Sequence, residues 1–101
     1  MSSSYIQFST PALRKLVHSN QTIGTTIATL LTPPVAPERR VVVIVQNKSS
    51  TAKIEIICDS TSTSGLAVYP LSSISIDNYN GTVRCVSDSP NTLVHIAYGS
   101  V

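Results

Sequence analysis

A chain of 101 residues with a formal net charge of +2, 12% charged residues and 42% hydrophobic ones is one domain at most. A chain of this length buries about 65% of its unfolded surface, which supplies one modest core and leaves nothing for a deep catalytic cleft with its own supporting shell. The basic residues are scattered apart from the doublets Arg14-Lys15 and Arg39-Arg40, aromatics are 5% and Trp is absent, so neither the basic stripe nor the stacking platform of a nucleic-acid binder is present.

Taken in chain order, residues 1–12 are Ser-rich, with Tyr5, Ile6 and Phe8 as apolar points and Pro11 as a breaker; the alternation suits a short strand or an arm. The N-terminus shows no charged or apolar region of a secretory signal, and no apolar run approaches the roughly 20 residues that span a bilayer. The expectation is therefore a protein with no membrane partner, made and assembled in a cytoplasm. Residues 13–18 fit one helical turn or a strand equally. Asn20-Gln21-Thr22 reads as a turn, and the β-branched residues 23–31 read as a strand. Thr32-Pro33-Pro34-Val35-Ala36-Pro37 cannot form a ladder, because proline removes the donor and restricts φ. Residues 1–37 are thus expected to be an extended N-terminal arm with a Pro-rich connector, and residues 38–101 a compact β-sandwich domain.

From Arg39 the rhythm changes. Strands are expected over residues 39–46, 53–58, 66–69, 73–77, 82–86 and 93–98, separated by polar turns, which is the pattern of an all-β fold: a small antiparallel β-sandwich or barrel. Asn80-Gly81 is the strongest hairpin signal. Ile54, Ile56 and Cys58 alternate with Lys53, Glu55 and Ile57, Ile74 and Ile76 with Ser73, Ser75 and Asp77, Val83 and Cys85 with Thr82 and Arg84, and Val94 and Ile96 are expected inward with His95 outward, so each strand buries one face. Val41-Val42-Val43-Ile44-Val45 is apolar on both faces. Val43 and Val45 are expected in the core, with Val42 and Ile44 covered by the lead-in or by another subunit.

Candidate chemistry is sparse. Asp59, Asp77 and Asp88 are best explained as turn residues. His18 and His95 lack metal-ligand spacing, and Cys58 and Cys85 lie in strand-like runs without a CxxC, so no metal site is expected and the thiols read as small hydrophobes, although a disulfide between them stays open. No nucleophile elbow or phosphate loop occurs among the four glycines. No catalytic residue, cofactor or enzyme activity is expected.

Arg39-Arg40-Val41-Val42-Val43-Ile44-Val45-Gln46-Asn47, followed by Ile54-Glu55-Ile56, Gly65-Leu66, Pro70, Gly81-Thr82-Val83-Arg84-Cys85-Val86 and Val94-His95-Ile96, resembles the compact β-domain of small virion proteins of tailed bacteriophages. The resemblance covers about residues 36–98. It implies a capsid decoration or cement protein that binds the major capsid protein, forms a homo-oligomer (a trimer is favoured) and lies on the virion's capsid surface. Since the sequence stops at Val101 where related domains often continue into a fibre, a small stand-alone coat component is expected. A tail, head-fibre or head-tail adaptor component is the alternative within a virion, and a host-surface or carbohydrate-binding module the alternative of another class. The expected interface residues are Tyr5, Ile6, Phe8, Arg39, Arg40, Val42 and Ile44.

Overall fold

The computed structural model describes residues 15–101. Eight strands follow one another: β1 (Lys15–Ile23), β2 (Ala28–Leu31), β3 (Arg40–Asn47), β4 (Ile54–Ile57), β5 (Leu66–Val68), β6 (Ser73–Asp77), β7 (Val83–Ser87) and β8 (Thr92–Ser100). They form two four-stranded antiparallel sheets, in the orders β1-β8-β3-β6 and β2-β7-β4-β5. The fold is all-β, and the six strands expected after residue 38 all form, with ends displaced by one or two residues.

The core lies between the sheets and follows the period-2 alternation. Val43 and Val45 of β3 are fully buried, opposite Ile96 and Tyr98 of β8 on one side and Ile74 and Ile76 of β6 on the other. Ile54, Ile56, Val68, Val83 and Cys85 of the second sheet meet them. β-branched residues dominate because they pack well on a pleated surface and lose little χ1 freedom there.

The separation into arm and domain at residue 37 does not hold for the described part of the lead-in. β1 pairs along its whole length with β8, from Lys15↔Ser100 to Ile23↔Thr92, and β2 pairs with β7. Asn20-Gln21-Thr22, expected as a turn, lies inside β1; the chain turns instead over residues 24–27, and Ile23 drops into the core. The physical reason is that β8 and β7 would otherwise each end a sheet with an unpaired row of N–H and C=O groups, and the lead-in supplies the missing partners. The Pro-rich segment then spans from one sheet to the other without joining either ladder.

Asn80-Gly81 is not a hairpin turn. β6 and β7 belong to different sheets, so this segment is a crossover between layers. The left-handed residue here is Asn78, at φ 54°. Gly81 is needed for space, because a Cβ on it would collide with the Tyr79 hydroxyl. That hydroxyl lies 2.7 Å from the carbonyl oxygens of both Cys58 and Thr82.

β3 is held at both ends by buried polar side chains. At its end, the Asn47 amide donates to Ala52 O (2.8 Å) and to Val68 O (3.0 Å), while Asn47 Oδ1 accepts from Ser49 N–H (3.0 Å). These bonds join the first sheet to β5 of the second and shape the loop before β4. Replacing Asn47 by Ala leaves two buried carbonyls without donors, so a loss of about 2–4 kcal/mol is expected in denaturant titration. Ile44→Thr, on the outer surface of the same strand, should change stability by no more than about 0.5 kcal/mol.

Candidate functional site

The register places one set of side chains on the outer face of the β1-β8-β3-β6 sheet. Across four strands the rows run Leu16–Gly99–Val42–Asp77, His18–Ala97–Ile44–Ser75 and Asn20–His95–Gln46–Ser73, with Thr22–Leu93 beyond. Leu16 (51% exposed), Leu93 (42%) and Ile44 (37%) stand open, and Val42 is half-buried. Asp77 is the lone formal charge in these rows. Outer faces of antiparallel sheets are usually polar, whereas this one has an apolar centre with a Ser, Thr, Asn and Gln surround.

Among the described residues the lead-in does not cover Val42 and Ile44, as one of the two expectations for them required. β1 adds to the edge of their own sheet, beside β8, and so extends their face sideways instead of stacking on it.

The same face brings together two residues that sequence spacing left unconnected. His18 of β1 and His95 of β8, 77 positions apart, approach to 3.0 Å between His18 Nδ1 and His95 Nε2. Their ring centroids are 5.2 Å apart and the planes are inclined by 31°. The contact is diagonal across the ladder, since His18 registers with Ala97 and His95 with Asn20. Asn20 Oδ1 lies 2.8 Å from His95 Nδ1 and accepts its N–H, which leaves His95 Nε2 as the acceptor toward His18.

At the start of β3 the expected interface residues diverge. Arg39 is exposed. Arg40 is only 2% exposed and serves the interior: its N–H donates to Asn80 Oδ1 (2.7 Å), its Nη2 donates to Gly81 O, and its guanidinium lies 5.9 Å from the Tyr98 ring centroid. Its expected place as an interface side chain is thereby corrected. A β-bulge between Arg40 and Val42 turns the side chain off the alternation, so both Arg40 and Val41 are buried. Burial lowers the Arg40 pKa from its usual value, and Tyr98, Tyr79 and Glu38 oppose that shift; the guanidinium stays charged. Its Nε is buried without a hydrogen-bond partner. Beside it a cleft of about 380 Å³ is lined by residues from Thr29 to Val35 together with Glu38, Arg40 and Tyr98.

Tyr5, Ile6 and Phe8 lie outside the described residues. Three further exposed apolar side chains carry no signal in the sequence. Leu66 (53% exposed), Tyr69 (60%) and Leu71 (66%) project from β5 and the turn after it, and Leu71 adopts φ 62°, a conformation costly for a side chain of its size. No pattern in the sequence marks them, because Pro70-Leu71 reads as an ordinary turn.

Cys58 and Cys85 are both free thiols. Burial pushes the Cys85 thiol up to about 12; burial and then Asp59 raise that of Cys58. Among the described residues no group of three or more His, Cys, Asp or Glu converges as a metal cage. No protein-family model matches the chain, and comparison with curated proteins finds no similar sequence.

Two outcomes follow from the electrostatics. Cys85 should resist a thiol reagent in the folded protein and react only after denaturation, as followed by absorbance. The Asp59 carboxylate accepts from the Ser62 hydroxyl (2.6 Å), from the Ser62 and Thr61 N–H groups (2.8 and 3.0 Å) and from Arg84 Nη2 (3.4 Å), which lowers its pKa to about 2 from 3.8. The unfolded chain therefore binds this proton first, and the stabilisation is present above pH 4 and lost as pH falls from about 4 to about 2. The stability advantage of the wild type over Asp59→Asn should shrink across that window in denaturation measured at a series of pH values.

Proposed function

We propose that this chain is a non-enzymatic structural protein that docks on a larger protein shell through the outer face of its β1-β8-β3-β6 sheet, as the decoration or cement component of a bacteriophage capsid. The observation that carries the reading is the set of exposed apolar side chains Leu16, Ile44 and Leu93, with half-buried Val42, spread over rows in which Asp77 is the single formal charge. Apolar centre and polar surround are the anatomy of a protein–protein contact. Scarce charge means that little must be desolvated when the face is covered.

The resemblance of the Arg39–Asn47 stretch to small virion proteins of tailed phages directs the choice of partner to a major capsid protein. One such face is small, and stable attachment then gains from several copies acting together. In the expected homotrimer three faces share one platform, and each attached face raises the effective concentration of the others. The exposed apolar side chains Leu66, Tyr69 and Leu71, on β5 and the turn after it, offer further points of contact between copies or with the shell.

Added to shells that lack it, the wild-type protein should bind at fixed stoichiometry and raise their resistance to heat. Ile44→Asp should keep the wild-type melting temperature and lose shell binding, because it places a charge at the centre of the contact without touching the core. Absence of wild-type binding, or full binding by the Ile44→Asp variant, would overturn the reading.

A further inference from the structure

We infer that His18 and His95 form a two-imidazole chelating site for a late first-row divalent cation such as Zn²⁺, Ni²⁺ or Cu²⁺, on the outer face of the first sheet. The first support is the spacing. Metal–nitrogen bonds of about 2.1 Å hold two imidazole nitrogens about 3.0 Å apart at the right angle of square-planar or octahedral coordination, and about 3.4 Å apart at the tetrahedral angle of zinc. His18 Nδ1 and His95 Nε2 are 3.0 Å apart before any metal is present. The pair thus lies within a few tenths of an ångström of a chelating separation, and rotation of the two rings would turn both lone pairs toward one cation.

The second support is the partner of the other His95 nitrogen. Metal-binding imidazoles commonly donate their remote N–H to an oxygen that fixes tautomer and orientation. Asn20 Oδ1 does this here, accepting from His95 Nδ1 at 2.8 Å and leaving Nε2 with its lone pair toward His18. In the metal-free pair the His18 Nδ1 proton fills the gap. On binding, that proton moves to His18 Nε2, or leaves if the ring is doubly protonated, and the cation takes its place. Both rings keep a neutral, coordinating form.

The third support is rigidity and access. The two residues sit in the middle of the longest ladder of the fold, β1 with β8, which is paired without a break from Lys15 to Ile23. His18 is exposed and His95 half-exposed, so hydrated metal reaches the pair directly. Imidazole pairs suit zinc, nickel and copper and are poor ligands for the hard cations calcium and magnesium. Because no third His, Cys, Asp or Glu among the described residues joins the pair, the protein supplies two positions and water holds the rest. The pair lies on the exposed outer face of the sheet, so a second protein could supply a further donor.

The test uses tag-free full-length protein and the metal ions alone. Zn²⁺ titration by calorimetry should show one saturable site per chain. Ni²⁺ should broaden NMR signals of His18, His95 and their register neighbours Ala97 and Asn20 ahead of all others. His18→Gln and His95→Gln should each abolish that site, and the double variant should be no worse than either, the mark of a chelate in which one ligand is useless without the other. Asn20→Ala should weaken binding by roughly tenfold through loss of the orienting bond. Should either variant be unfolded by circular dichroism, the Ni²⁺ broadening pattern on the wild type decides. Ca²⁺ and Mg²⁺ should not compete. No saturable Zn²⁺ binding, broadening centred elsewhere, or unchanged affinity in folded single variants would overturn the site. Shell binding plays no part in this measurement, so its outcome is independent of the docking proposal.

Discussion

The fold depends on the two polar brackets at the ends of β3. A strand with Val41, Val43 and Val45 buried could slide along its neighbours by two residues and still bury valines. Arg40 and Asn47 forbid that. Arg40 engages Asn80 and Gly81, in the crossover that carries the chain from the first sheet to the second; Asn47 engages Ala52 and Val68, at the opposite end and again in the second layer. Any slip would strip these buried groups of their partners, at a cost of about 1–3 kcal/mol for each. Hydrophobic burial provides the driving force, while the brackets select one register and fix how the two sheets meet.

The lead-in completes this arrangement. β1 and β2 close one edge of each sheet, and the Lys15–Glu38 ion pair (3.3 Å) brings the start of β1 to the residues that precede β3. At such exposure an ion pair adds little stability; the continuous β1–β8 ladder matters more. Edge pairing also determines what the outer surface becomes. A segment stacked over β3 would have buried Ile44. A segment paired beside β8 instead widens the face and adds Leu16 and His18 to it. The apolar face proposed as the docking surface and the imidazole pair proposed as a metal site are both products of this one topological choice.

Strand positions and faces were legible because they rest on local information. Val43 and Val45 inward, Val83 and Cys85 on one face, and Val94 and Ile96 inward with His95 outward all follow from period-2 alternation. The residues that misled are those whose role depends on a distant partner. Asn20-Gln21-Thr22 has turn composition, yet β8 offers it a full ladder. Asn80-Gly81 has hairpin composition, yet the strands on either side belong to different layers. Arg39-Arg40 reads as a pair of interface side chains, yet a bulge turns Arg40 inward while Arg39 stays exposed.

Sequence by itself determined the all-β class, the six strands after residue 38 and the inward residues of most of them, because alternation of apolar and polar residues is a property of neighbours along the chain. Tertiary structure alone decided that the lead-in joins both sheets, that Arg40 and Asn47 are interior brackets, and that His18 and His95 meet across 77 positions. Those contacts are set by which strand edges find each other in space. Sheet order is a non-local choice: one added edge strand changes which residues are covered, which stay open and which side chains come within bonding distance.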